Sequence, residues 1–594
     1  MKEYIRRSEY AIADNVKIFW NFVNAVSKDN SPPMHLSNNG TYTDDCNAIA
    51  NCFADYFESV YSDSNIRGDV LTCKHDLCLT GMDITIGEVF EGINSMQSNS
   101  SPGTDGIPPV FIKSCNFIMA RILWILFNKS LGSGTFPHLW KLSIVTPIFK
   151  NEDRTMVSNY RPICKQNIIP KLFENIIASK LSLLCKNIVI TEQHGFTVGR
   201  SASTNLLLYH DYINSAIEQG SQVDTIYTDF RKAFDTVNHN LLLKKLQAIG
   251  IDGTMLKWIS SFIMDRTQVV KFSNCFSRII KVSSGVPQGS HLGPLLFNLF
   301  INDVKDSINH CKFLLYADDL KIYRRIDSSD DAKLLQLDLI ALDLWCISND
   351  MHFNLSKCKV VRFCKKRNAY VHNYLLKDVP LSSTDHIRDL GVIFCSDLSF
   401  EMQIQKVSSC AYRKLGFIMR SCKYFKDINT IRLLYCTLVR PHLEYAAIVW
   451  APYQTKYTKI IEGIQHRFLR RASFFTGSPM QFTDHSYGAI LNKLKLLTLE
   501  NRRIFLDVVF LHKLINGRIM CSELLSEVGL HVPARPLRSR QVFHVESHRT
   551  IYGKFKPLNR ICQLANDFGN DIDFFHTSLN SVRLLLIKRL ILAS

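Results

Sequence analysis

The chain is 594 residues long, 46% hydrophobic and 21% charged, with a formal charge of +18; this excludes a disordered or fibrous protein and predicts several globular domains with ample core. No apolar run reaches the roughly 18 residues that a membrane span needs: the best candidate, Phe117 to Phe127, is interrupted by Arg121, and Met1-Lys-Glu-Tyr-Ile-Arg-Arg lacks the apolar core of a signal peptide. A soluble intracellular protein with no membrane attachment is expected.

Helical pattern opens at Ile18 to Val23, followed by the loop Asp29-Asn-Ser-Pro-Pro. A second helix is predicted from Cys46 to Tyr61, with Ile49, Phe53, Tyr56, Phe57 and Val60 on one face. The Gly/Pro-rich stretch Ser98 to Lys113 enters a helix over about Asn116 to Leu131 that reads as core. Trp140 to Lys150 reads as a strand, Asn151 to Ser158 as a polar turn and Asn159 to Ile163 as the return strand, which puts Lys150 and Arg161 at the loop ends. An amphipathic helix from Lys171 to Leu184 precedes Gln193 to Asn205, where Arg200 and several hydroxyls suit contacts to a phosphate backbone and His194 reads as structural.

A short apolar strand, Thr225-Ile-Tyr-Thr, then delivers Asp229, with a helix expected directly after it. Ser284-Gly-Val-Pro-Gln-Gly-Ser-His291 is a loop running into the apolar helix that ends near Phe300. Phe313-Leu-Leu-Tyr-Ala-Asp-Asp-Leu-Lys-Ile-Tyr323 reads as a hairpin with Asp318 and Asp319 at its tip. Asp331 to Asn349 is helical in pattern, and Met351 to Phe363 and His386 to Phe394 read as strands. From Ser399 helices are predicted over Gln405 to Cys422, Asn429 to Leu438, Pro441 to Trp450 and Thr458 to Phe475. Residues 480 to 594 form a further helical block, in which Val532 to Arg540 is either an arm to RNA or a linker.

Residues 1 to 400 hold 42 Lys and Arg against 40 Asp and Glu, whereas residues 401 to 594 hold 29 against 13. A phosphate backbone is the partner such a C-terminal third would suit. The 18 cysteines are scattered, the closest spacings being Cys73 to Cys78, Cys46 to Cys52 and Cys358 to Cys364, and no Cys-x-x-Cys pair occurs. Reduced, mostly buried thiols are expected rather than a disulfide framework or a zinc site.

An isolated Asp-Asp would be an ordinary acidic turn. With Asp229 as a third carboxylate, the set can hold two hard divalent ions about 4 Å apart, which activate a 3′-hydroxyl and stabilise a leaving pyrophosphate. The segments carrying Asp229, Gln288 and Asp318-Asp319, in this order, resemble motifs A, B and C of reverse transcriptases, in the wording of non-LTR (LINE-type) retrotransposons close to the jockey group.

The resemblance implies an α+β right-hand polymerase with fingers, a ferredoxin-like palm and an α-helical thumb, and helical N- and C-terminal extensions. Its boundaries would be a linker region over 1–79, fingers and palm over 80–398, the thumb over 399–479 and a basic helical region over 480–594. It implies an RNA-directed DNA polymerase that extends a DNA 3′-end on an RNA template from dNTPs, with two Mg²⁺ ions for which Mn²⁺ may substitute. Asp229, Asp318, Asp319 and the carbonyl of Phe230 would hold the metals, and Lys357 would protonate the pyrophosphate. Lys150 and Arg161 would clamp phosphates, Arg200 and Gln288 would contact the nucleotide, and Phe234 would be the steric gate against a 2′-hydroxyl. Ser98 to Lys113 would hold the template, and Arg467, Arg470 and Arg471 would lie along the duplex. Gly40 to Tyr61 resembles the linker after the endonuclease in jockey-type elements, and with only some 40 residues before it an endonuclease would be supplied in trans; the work would be done in the nucleus.

Two departures stand against this pattern: Cys164-Lys-Gln-Asn167 is polar where the family continues apolar, and His291 replaces a small apolar residue. They favour the alternative of a decayed or co-opted nucleic-acid-binding relic, which the intact set of three aspartates opposes.

Overall fold

The computed structural model describes residues 2–26, 36–38, 41–62, 77–150, 153–366, 369–475, 484–532 and 541–592. The loop Asp29 to Pro33, Gly40, Cys73, Asn151 and Pro533 to Arg540 lie outside the described residues. Apolar runs build a central sheet of five strands, in the order Ser382–Ser383, Lys359–Phe363, Gln222–Thr228, Asp319–Ile326 and Lys312–Tyr316. The four longer strands pair antiparallel. With the helices Gly293–Ile301 and Ser329–Ser348 between them in sequence, they make the βαββαβ order of a ferredoxin-like palm. Gln222–Thr228 is buried at nearly every position, as a central strand covered on both faces must be.

A second sheet runs in the order Tyr160–Lys165, Leu142–Phe149, Arg266–Phe272 and Cys275–Val282. The helix Cys46–Glu58 covers it, placing Ile49, Phe53 and Phe57 against Val145, Val270 and Ile280 in one apolar cluster. This packing overturns the expectation for one pair of thiols: Cys46 and Cys275, 229 residues apart, are bonded as a disulfide with a Cα–Cα distance of 5.9 Å, a separation a disulfide spans. Sequence spacing carried no trace of the pairing because helix-on-sheet packing creates it.

The helices Ile86–Ser95, Asn116–Ser133, Ile168–Leu184 and Gly253–Ile263 join the palm core, where Phe127 stacks on Phe173 at 4.2 Å and Phe173 meets Trp258 edge-on. Asn116–Ser133 is not the all-round core helix its composition suggests. Ala120, Leu123, Phe127 and Leu131 are buried, whereas Phe117, Ile118, Ile122 and Ile125 face out.

The helices Glu401–Ser421, Ile428–Leu434, Arg440–Glu444 and Thr455–Phe475 follow the palm. Lys2–Asp14 and Ile18–Val26 pack on them, with Phe19 against Phe417 and Phe22 against Phe425, while Glu9 accepts the N–H groups of Lys426 and Asp427. Leu499–Ile515, Pro557–Asp567 and Leu579–Leu592 share the same apolar core. The segment leading into Pro557–Asp567 also meets the palm helix Ala202–Glu218, where Lys556 pairs with Asp211 at 3.5 Å and His548 with Glu218 at 2.5 Å. No described helix is long and apolar enough to cross a membrane.

Three local expectations are corrected. No helix follows Asp229 directly: a turn with Lys232 at φ +50° intervenes and the helix starts at His239, capped by Asn238. Only Lys359–Phe363 of the predicted strand Met351 to Phe363 is a strand, because Phe353 bridges to Phe230 instead. His386 to Phe394 is two strands, His386–Asp389 and Val392–Cys395, turned back at Leu390 and Gly391.

Emptying the fully buried site of Trp258 by Trp258→Ala is expected to cost about 3–5 kcal/mol. Ile118→Ala, at a side chain 68% exposed, should stay within about 0.5 kcal/mol. Denaturant midpoints at constant slope read both.

Candidate active site

The strands Lys312–Tyr316 and Asp319–Ile326 pair with Tyr316 opposite Asp319, so Ala317 and Asp318 form a two-residue turn. Ala317 takes φ +58°, a left-handed conformation uncommon outside glycine. In the next strand Thr228 pairs with Leu320, and its hydroxyl donates to the Leu320 carbonyl at 3.1 Å. The strand register thereby carries Asp229 to the same end of the sheet as Asp318 and Asp319. The backbone carbonyl of Asp229 accepts from the Asn354 N–H at 2.7 Å, and its carboxylate meets Lys357 Nζ at 3.1 Å.

The charges in this cleft act on one another. Burial, then the charge of Asp229, raises the Asp318 carboxyl above its ordinary range against the pull of Arg161 and Lys150. Partial withdrawal from water, followed by the charges of Asp318, Asp389 and Asp229, pushes Asp319 up to about 7 despite Lys321. Lys150 is lowered by burial and by Lys357 and Arg161, with Asp229 and Asp318 opposing. The strand pair that carries Lys150 and Arg161 sets Ile148 opposite Arg161. The charges of both basic side chains are felt at Asp318, and beside Asp229 and Asp319 a cavity of about 360 Å³ opens, lined also by Lys357, Tyr316, Arg388 and Asp389.

Among the described residues no three His, Cys, Asp or Glu side chains close a metal cage by themselves. Asp318 and Asp319, raised first by burial and then by neighbouring carboxylates, are oxygen donors of the kind a hard divalent ion takes when water and substrate oxygens complete its shell.

Residues 148–394 match the family model of the reverse transcriptase (RNA-dependent DNA polymerase). The chain carries a reverse transcriptase domain. Over 393 residues it is 27% identical to a probable RNA-directed DNA polymerase from the transposon X-element of Drosophila melanogaster, covering 64% of this chain and 43% of that protein. It is 25% identical over 446 residues to the probable RNA-directed DNA polymerase from transposon BS of the same species, covering 71% and 49%. It is also 25% identical over 437 residues to the RNA-directed DNA polymerase from the mobile element jockey of Drosophila funebris, covering 69% and 46%. The chain spans about half the length of these curated relatives.

Within the reverse transcriptase domain, Phe230 is buried and stacked on Phe353 at 4.9 Å. Phe234 is half-buried and stacked on Phe297 at 4.3 Å. Gln288 donates its amide to Asp235 at 2.7 Å, a tie that the sequence did not suggest. The loop before it lies against the turn after Asp229: Val286 N–H donates to the Phe234 carbonyl. At Gly285, φ +84°, an added Cβ would stand 2.6 Å from the Asp235 carbonyl oxygen, so only glycine fits.

Arg200 does not reach the cleft. It is buried and bidentate to Glu523, with both bonds at 3.0 Å; its guanidinium is committed, which removes it from the nucleotide-contacting set. Arg467, Arg470 and Arg471 lie on the exposed side of Thr455–Phe475, C-terminal to the matched domain.

The two departures have structural partners. Gln166 donates to the fully buried Glu174 at 2.7 Å, Asn167 accepts Thr104 N–H and hydroxyl at 2.7 and 2.8 Å, and Cys164 N–H donates to the Gln288 carbonyl. His291 offers its backbone N–H to Glu174 at 3.3 Å, while burial pushes the Glu174 carboxyl up to about 7.

Sequence reasoning also missed Lys321 and Asp389, which form a largely buried ion pair in the wall of the cavity beside Asp229 and Asp319, with Lys321 over the Tyr209 ring at 4.4 Å. The one available signal was a lysine two residues past Asp319, on the same side of a strand. Lys321→Met strands a buried carboxylate and is expected to cost about 3–5 kcal/mol, and adding Asp389→Leu should recover most of it. Denaturant unfolding of the three chains checks this.

Proposed function

We propose that the chain is an RNA-directed DNA polymerase of the non-LTR retrotransposon type, extending a DNA 3′-end on an RNA template with dNTPs. The observation that carries it is the gathering of Asp229, Asp318 and Asp319 at one end of the palm sheet, with Lys357 on Asp229 and the charges of Lys150 and Arg161 felt at Asp318. Asp229, Asp318, Asp319 and the Phe230 carbonyl would hold Mg²⁺, or Mn²⁺ in its place, which supplies activation of the 3′-hydroxyl and neutralisation of the pyrophosphate.

The protein's own groups do the rest. Lys150 and Arg161 draw the triphosphate toward the aspartates and offset charge on the departing pyrophosphate. Lys357, an ammonium with three protons, stands as proton donor to that leaving group. Phe234 walls the sugar side, and Gln288, held by Asp235, orients the nucleotide. Palm and fingers would occupy 80–398, with the thumb over 399–479 laying Arg467, Arg470 and Arg471 on the duplex phosphates, a contact that tolerates any sequence. Action on DNA would put its work in the nucleus.

Primer extension by the purified chain on an RNA template with a DNA primer tests this reading. Asp318→Asn is expected to reduce the rate more than about a thousandfold, at 1.4 kcal/mol per tenfold, while template affinity is unchanged. If the wild-type chain extends nothing with either Mg²⁺ or Mn²⁺ yet still binds RNA, the relic reading takes its place.

Replacing Arg467, Arg470 and Arg471 with alanine should make the salt dependence of binding shallower, by roughly 0.7 to 0.9 in log–log slope for each phosphate no longer neutralised. Products should shorten while single-nucleotide incorporation at saturating template persists. Identical slopes would place these arginines off the nucleic acid.

A further inference from the structure

Arg200 and Glu523 take no part in the chemistry described so far, yet they connect to the catalytic turn through residues 191–195. Gln193, fully buried, accepts the Ala317 N–H at 2.8 Å and donates to the Ala317 carbonyl at 3.2 Å. One side chain thus fixes both polar groups of the residue before Asp318. The flanking backbone is tied as well: Leu315 N–H donates to the Glu192 carbonyl, and His194 N–H donates back to the Leu315 carbonyl, both at 2.9 Å. The approach is so close that a Cβ on Gly195 would stand 2.2 Å from the Ala317 nitrogen.

This clasp is fastened in turn by Arg200. Its Nη1 donates to the Thr191 carbonyl at 2.5 Å and to His194 Nε2 at 3.1 Å. His194 must accept at Nε2, so its proton sits on Nδ1 and is donated to Thr204 Oγ1 at 2.7 Å. Burial and the charges of Arg200 and Lys321 keep that ring neutral, with its pKa down to about 3. The other end of Arg200 is gripped by both oxygens of Glu523. Beside it, Met520 N–H donates to the Gly199 carbonyl at 2.9 Å.

We propose that Glu523 is a positioning residue of the polymerase. By holding Arg200 it fixes the Thr191–Gly195 clasp, and through Gln193 it fixes the turn that presents Asp318 and Asp319. The C-terminal block thereby sets the geometry of the catalytic hairpin from outside the palm. Without Glu523 the buried guanidinium loses its bidentate partner and turns toward water, which frees His194 and the Thr191 carbonyl and lets Ala317 leave its left-handed conformation. Two-metal chemistry tolerates little displacement of its ligands.

The proposal rests on the polymerase reading, and its test separates the two. Glu523→Ala is expected to lower kcat at least about tenfold, while the KM for dNTP and the Kd for template–primer stay within about twofold. Arg200→Ala should show the same pattern, and the double variant should lose no more than Arg200→Ala alone, because the two act through one contact. Should Glu523→Ala not fold, Glu523→Gln, which keeps its shape and a hydrogen bond, should still lose about threefold in kcat. Hydrogen exchange of the Leu315 and Ala317 amides, measured on the full chain, reads the coupling without activity and should accelerate at least about tenfold in the variant. Unchanged exchange there, unchanged kcat, or losses that multiply in the double variant would overturn the proposal. A wild-type chain that extends no primer while these amides loosen in Glu523→Ala would instead sink the polymerase reading and leave the coupling standing.

Discussion

Three carboxylates crowd one end of the palm sheet, and the repulsion among them governs what surrounds them. Asp318 and Asp319 both hold their protons above the ordinary range, the condition that favours cations at the open side of the cleft. The fingers strands bring Lys150 and Arg161 toward that side, and Lys357 stands against Asp229. In the cavity wall Asp389 would add a fourth negative charge, but Lys321 binds it. Negative charge is thus left only partly compensated at Asp229, Asp318 and Asp319, whereas Asp389, on the separate strand His386–Asp389, is paired with Lys321 of the palm sheet.

Holding that charge requires a rigid frame, and the frame draws on both ends of the chain. Residues 2–26 share an apolar core with the helices after the palm, and so does the block from Leu499 to Leu592. Some of the basic side chains after residue 400 are paired inside this assembly: Arg502 grips Glu444, Arg560 grips Asp507, and Lys556 reaches Asp211. The exposed arginines of Thr455–Phe475 are a smaller and more local patch than the composition suggests.

The polar run Cys164 to Asn167 looks like damage when set against a family pattern and is packed in the fold, whereas His291 is exposed and bonds through its backbone N–H. They meet at Glu174, a carboxyl with no exposure that Gln166 and the His291 backbone both bond. Asn167 ties the Gly/Pro-rich stretch before Pro109 to the fingers strand. A buried carboxyl without such partners would be costly, so these residues come as a group.

The order of the elements and the chemistry of the site could be read from residue types and their spacing. Period-two and period-3.6 patterns marked the hairpin at Asp318 and the helices at Lys171 and Asp331, because those signals are local. Three aspartates in a polymerase-like order pointed to the metal chemistry. Long-range packing settled which long side chains reach the cleft: Arg200, from the same loop chemistry that marked it for a nucleotide, turned to Glu523, 323 residues away. It also settled the Cys46–Cys275 bond, the exposed face of Asn116–Ser133 and the Lys321–Asp389 pair. Each depends on which distant surface arrives at a given side chain, and residue type and spacing along the chain carry no record of that arrival.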